Sequence, residues 1–372
     1  MDSGSLYMMV LVNLSLGMAL GYVLHRSDYC MAGMFRDFFL FRRAFMLRTL
    51  LLLVICSMVL IELARLVGLL PLHPSPLLKP PGFTNLIGGI IFGFGMVLAG
   101  GCVVGVVYKM GSGSVLSGVA FFGLLGGSAL YAEFHPWWKG IAAQLSFLQG
   151  TITVPQLFGV SPTLVVFLVA LPACYLLFGW FQKGWLVRKG GPEGYLQPWK
   201  AAVLFSVLSL ISLLLLGLPF GITTSYAKMA AYIERFFFPV HYADVVFFQA
   251  ISLKFHLPLT AGYLEGGPGA HFDLIWAKEF FLFLGIVVGA AGSALLLREF
   301  TIHFRVPLKQ YLCAFTGGIL LALASRMAPA CNVLHLLGGL PVLALSSLLF
   351  FAGLFPGAWL GTVVLSRYVI TE

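Results

Sequence analysis

The sequence predicts an all-α polytopic membrane protein with about nine transmembrane helices and additional short broken or half helices. Three observations carry that expectation. Apolar residues fill 60% of the 372 positions and charged residues only 9%, against roughly a quarter charged in soluble domains. Apolar runs of span length recur along the whole chain. Two stretches resemble each other at a fixed offset, which predicts an inverted internal repeat with pseudo-two-fold symmetry.

A helical span needs about 20 apolar residues. Such runs lie near 6–24, 48–70, 86–108, 113–133, 162–182, 200–218, 279–297, 311–328 and 342–365. The first has neither a basic leader nor a small-residue cleavage site, so it is expected to be a span rather than a signal peptide. Basic residues set orientation. With the N-terminus outside and the C-terminus in the cytoplasm, inward segments hold 14 Lys and Arg and outward segments 6, four of these in the long stretch 219–278. The formal charge of +9 is then an orientation signal for a bacterial inner membrane, and no nucleic acid partner is expected.

Residues 88–130 align without a gap to 317–359 at an offset of 229. The match pairs Gly88 with Gly317, Gly89 with Gly318, Cys102 with Cys331, and Phe121–Phe122 with Phe350–Phe351. A weaker likeness joins 16–39 to 216–238 and, with a one-residue slip, sets Cys30 opposite Met229. The expected divisions are a first membrane repeat at 1–135, a connecting loop and linker helix at 136–199, and a second repeat at 200–372 carrying an extracytoplasmic insert at about 239–277. An odd number of crossings between equivalent elements inverts the second half. Inverted repeats with broken helices mark transporters and channels, whose sites lie near the midplane.

Six cysteines occur, none in a C-x-x-C pair, so neither a disulfide framework nor a metal site is expected. No cofactor motif is present either. Cys56, Cys174 and Cys313 sit in ordinary apolar runs and read as packing residues. Cys102 follows Gly100 and Gly101 in LAGGCVVG, and Cys331 follows Pro329 in SRMAPACNVLH. Paired glycines and proline both permit a helix to break. A helix restarting after each break would aim its positive end at a cavity and favour an anion. Arg326, an intramembrane cation, is a functional candidate by default, and Asn332 adds a donor. Glu62 and Arg65, three residues apart, read as a pair on one helix. The insert holds His241, His256, His271, Asp244, Glu265 and Asp273 in no recognisable metal-ligand spacing, and reads as a lid or packing element.

The runs HRSDYCMAGMFRDFFLFRR and IGGIIFGFGMVLAGGCVVGVVY, with the later cysteine motif, resemble the YeeE/YedE family of membrane proteins from about residue 10 to 365. The resemblance implies many spans with short helices pinched inward from both faces. It implies uptake of thiosulfate, or a closely related small sulfur anion, along aligned thiols, which would be Cys30, Cys102 and Cys331. The family's second motif is Gly-Gly-Cys-Asn-x-Gly, whereas here Pro329-Ala330-Cys331-Asn332-Val333-Leu334 stands. That departure keeps a selenium compound open as the substrate. A membrane thiol oxidoreductase is the alternative of another class, though it needs cysteines within disulfide reach. A cytoplasmic sulfurtransferase is a further partner that the basic segment 25–48 would suit.

Overall fold

The computed structural model describes residues 3–70, 74–75, 77–190, 193–251, 253–256 and 263–369. Among them are nine helical segments long and apolar enough to cross a membrane, one for each apolar run of the sequence. The chain is a multi-pass membrane protein.

Helices α1 (Ser3–Ser27) and α2 (Met31–Phe41) divide the first segment at Asp28–Cys30, and α3 (Phe45–Leu66) follows. Helices α4 (Phe83–Leu98) and α5 (Val103–Gly111) flank Cys102. Next come α6 (Val115–Leu145), the short α7 (Val154–Phe158), α8 (Pro162–Gln182), α9 (Pro198–Leu216) and α10 (Thr223–Phe237). The insert folds as α11 (Pro239–Asp244), α12 (Val246–Gln249) and an antiparallel hairpin of β1 (Leu253–His256) and β2 (Tyr263–Gly266). Then α13 (Leu274–Leu296) and α14 (Leu308–Met327) lead to α15 (Asn332–Leu334), which continues as a π turn to Gly339 before α16 (Leu345–Val364).

The offset of 229 recurs in these boundaries: α5 begins at Val103 and α15 at Asn332, α6 ends the one half and α16 the other. Packing is reciprocal. Helix α4 lies against α16 and α14 against α6. Contact is backbone to backbone: a Cβ on Gly89 would strike the Phe350 carbonyl, and one on Gly318 the Ala120 carbonyl. Small residues let membrane helices approach this closely. The upstream likeness behaves differently. Cys30 caps the start of α2, but Met229 lies inside α10. The second-half break comes earlier, between Gly217, whose φ of +69° ends α9, and Thr223.

Helix α8 stands apart. It packs on α3 through Val166, Ala170 and Leu177 and leaves Phe167, Leu168, Leu171, Tyr175 and Phe178 exposed, the apolar surface that lipid covers. Glu62 and Arg65 do pair, at 2.6 Å. The insert is anchored from below. Lys228, with no exposed surface, donates to Asp273 at 2.7 Å and to the carbonyls of Gly269 and His271. Burial pulls its ammonium below the ordinary lysine range, and Asp273 opposes that pull. Asp273 also accepts from the Gly267 and Trp276 amides, so one carboxylate joins the loop, α10 and α13.

Candidate functional site

Each of the three cysteines in distinctive sequence stands at the N-cap of a short helix: Cys30 before α2, Cys102 before α5 and Cys331 before α15. All have extended backbone there, and all are buried. The N-cap is where a side chain meets unpaired backbone N–H groups. Cys102 shows the consequence, its Sγ accepting from the Gly105 amide at 3.3 Å. Cys30 faces the same residue: a Cβ on Gly105 would stand 3.5 Å from Cys102 Sγ and 3.6 Å from Cys30 Sγ. The two thiols therefore share one bare glycine surface.

The glycines expected to support an anion make the break instead of lining it with donors. Gly100 adopts the left-handed conformation, φ +68°, and its N–H returns to Val97, while that of Gly101 returns to Met96. These bonds finish α4. Gly101 has a second reason to lack a side chain, since its Cβ would meet the backbone of Gly105 and Val106. The free Gly100 carbonyl receives Lys109 Nζ at 2.6 Å, a cation on a helix C-terminus.

Cavities follow the cysteines. A chamber of about 60 Å³ is lined by Cys102, Gly105, Tyr29, Met31, Phe205 and Asn332. At one end of α4 and α14 lies a vestibule of about 190 Å³, with Cys331, Arg326, Lys79, Glu279, Thr223 and Leu334 in its wall. At the other end lies one of about 320 Å³ that includes Arg36, Lys109, Gly100 and Cys313. Each vestibule thus carries one arginine and one lysine. Cys313 faces a vestibule although its sequence context gave no sign of it. Cys56 is half-buried and Cys174 exposed, and all six thiols are free.

Arg326 closes α14. Its guanidinium donates to the Thr223 carbonyl and lies over the Phe247 ring, 5.8 Å from its centre. Among the described residues no carboxylate touches it; the nearest counter-charge in the same vestibule wall is Glu279. Asn332 is buried beside Cys331, its Nδ2 at 3.0 Å from Met31 Sδ.

Over residues 26–360 the sequence matches the family model described as sulphur transport. The chain belongs to the sulphur transport family. Relatives agree with that membership. A thiosulfate transporter TsuA of Spirochaeta thermophila is 28% identical over 95% of this chain and 99% of its own length. The Escherichia coli protein named thiosulfate transporter TsuA is 34% identical over 35% of this chain and 36% of its own. A probable transporter YedE of Escherichia coli is 28% identical over 48% of this chain and 42% of its own.

Two features of this sulphur transport family member were hidden in the sequence. The start of α10 carries no cysteine. Its first amides, those of Thr224 and Ser225, donate to Glu279 Oε2 at 2.7 and 3.1 Å, so the chain's own carboxylate fills the place an anion would take. The break before Cys331 is tied by His335, whose Nδ1 meets Ser347 Oγ at 2.8 Å and whose Nε2 meets the Ala328 carbonyl at 3.2 Å. A histidine just beyond a Pro-Ala-Cys break was the available signal. Away from the path, Glu133, Glu234 and His241 bring one ligand atom each within 4.8 Å of one another. Each imidazole nitrogen already faces its own carboxylate, Nδ1 to Glu234 at 2.7 Å and Nε2 to Glu133 at 3.7 Å. These partners raise the His241 pKa above its ordinary value.

Proposed function

We propose that this chain takes up thiosulfate, or a closely related small sulfur anion, across the bacterial cytoplasmic membrane along a path of thiols. One observation carries the reading: three cysteines stand at the N-cap positions of three short helices whose first residues line a small chamber, and two further cavities each carry an arginine and a lysine. The full-length likeness to a protein named thiosulfate transporter supports the choice of anion. In this reading the repeats at 1–135 and 200–372 are inverted about a pseudo-two-fold axis. The Arg326 vestibule opens outward, roofed by the insert, and the Lys109 vestibule opens to the cytoplasm, a reading supported by the 14 to 6 division of basic residues. The N-terminus is then outside and the C-terminus inside.

Arg326 and Lys79 attract the anion, and Cys331 receives it. The terminal sulfur of thiosulfate passes to Cys102 and then to Cys30, while Lys109 and Arg36 favour departure. A thiol is a weak donor, and a sequence of weak sites lets an ion both enter and leave. The role is transport and not catalysis: no bond in the anion needs to break.

The test is thiosulfate-dependent growth of a bacterium lacking its own sulfate and thiosulfate uptake. The parent chain is expected to restore growth, and Cys102→Ala, at equal membrane abundance, to abolish it. No growth with an inserted parent would reject thiosulfate and turn the assay to selenium compounds. Growth with both Cys102→Ala and Cys331→Ala would reject the thiol path.

A further inference from the structure

Buried polar atoms in proteins are almost always hydrogen-bonded, and each exception calls for an explanation. Seven such atoms occur among the described residues, and three of them lie near the thiols. Among the described residues, Tyr29 Oη, Tyr108 Oη and Asn332 Oδ1 are buried without a partner. Tyr29 and Asn332 line the chamber that holds Cys102, and the phenol of Tyr108 faces Cys30. Tyr29 is 5% exposed and Asn332 1%, so bulk water does not serve them. The Tyr29 ring is fixed edge-on against Phe205 at 5.3 Å, in the same chamber wall. A neighbouring phenol shows the ordinary outcome, Tyr226 donating to the Val103 carbonyl at 2.9 Å.

We infer that Tyr29 and Asn332 are the groups that recognise the oxygen end of the transported anion, with Tyr108 receiving that end next, at Cys30. The inference rests on the proposed sulfur-anion path and names what distinguishes its substrates. Thiosulfate has two chemically different ends, a soft terminal sulfur and three hard oxygens. The chamber offers both kinds of partner: a polarizable thiol at Cys102, and two polar atoms, Tyr29 Oη and Asn332 Oδ1, that make no close hydrogen bond. The Asn332 amide spends its Nδ2 on a thioether, a weak acceptor. Rotated by half a turn, it presents that donor to the chamber. A site built to hydrogen-bond its ligand rejects analogues that lack the matching atoms, because its own polar groups then stay unpaired. The chamber accordingly favours an oxyanion bearing a terminal sulfur over hydrosulfide, which has no oxygen.

Tyr29→Phe and Asn332→Leu test this. A hydroxyl with no partner costs stability in the empty protein, so its removal leaves the melting temperature unchanged or higher. The half-saturating thiosulfate concentration is expected to rise about tenfold, the loss of a hydrogen bond to a charged ligand. Inhibition by hydrosulfide is expected to stay as in the parent. A merely structural hydroxyl would give the reverse, a lower melting temperature with unchanged half-saturation, and that result overturns the inference. So does half-saturation within twofold of the parent in both variants. If the parent takes up no thiosulfate, the substrate reading falls, and the purified proteins decide the inference by their melting temperatures in thiosulfate, sulfite and selenite. Stabilisation of the parent by any of these, weakened in Tyr29→Phe, upholds it. Equal stabilisation of the two, or none of either, rejects it.

Discussion

The two cysteine breaks related by the offset of 229 are built from different materials. Before Cys102 the helix ends through Gly100 in the left-handed conformation, and α5 restarts as nine regular residues. Before Cys331 a proline does the breaking, the restart runs only three α-helical residues, and a π turn follows. Where Gly105 leaves open the surface shared by Cys30 and Cys102, its counterpart by offset is Leu334, which stands in the vestibule wall beside Cys331. Same plan, opposite filling: the Cys102 break, the inner one in the proposed orientation, is open at the thiols, and the Cys331 break, the outer one, has a leucine in the equivalent place. The two breaks thus share a place along the offset but not the space around the sulfur.

Substitutions can break that contrast or sharpen it. The largest effect is expected at the insert, which only the second half possesses. Lys228→Met strands Asp273 without its buried cation and is expected to cost about 3–5 kcal/mol, read as a lower melting temperature in detergent. Gly105→Ala gives the inner break the side chain that the outer one has. Alanine suits a helix better than glycine, so the fold is retained, but the methyl fills the gap between two thiols. Uptake is expected to fall at least about tenfold, and uptake equal to the parent would separate the Cys30–Cys102 surface from the path. Arg326→Gln is expected to raise the half-saturating substrate concentration by about tenfold through loss of the vestibule's half-buried cation, with a smaller change in maximal rate. Leu334→Ala opens the outer break. It is expected to raise maximal uptake a few-fold while costing about 2–3 kcal/mol of packing. The smallest effect concerns His241. Its folded pKa is raised by Glu234 and Glu133, so the stabilisation it lends is complete below the unfolded value of about 6.5. That stabilisation disappears as pH climbs through the folded value. The melting temperature of the parent should fall with rising pH across that window more than that of His241→Gln.

Much of the fold was legible because apolarity and length suffice to place spans. The Gly-Gly and Pro signals located both cysteine breaks. The upstream likeness misled in register. Matching Arg36 with Arg235 put Met229 opposite Cys30, whereas the break falls at Gly217–Ile222, where the Gly-Leu-Pro run at 217–219 already marked a helix end. What stayed illegible depends on approach in space. Glu279 reaches the start of α10 from more than fifty positions away, Glu133 meets His241 from another helix, and the unpaired phenols of Tyr29 and Tyr108 are known as unpaired only once their surroundings are in place.

The glycine seam has a mechanical consequence. Helices α4, α6, α14 and α16 approach backbone to backbone at their glycines, where little side-chain material intervenes. A side-chain layer is what slides or repacks when helices move past one another, and with so little of it the four helices behave as one stiff frame. In the proposed reading, an ion then passes by rotamer changes of the cavity linings, Met31, Leu334 and Leu336 among them, on a support that moves little.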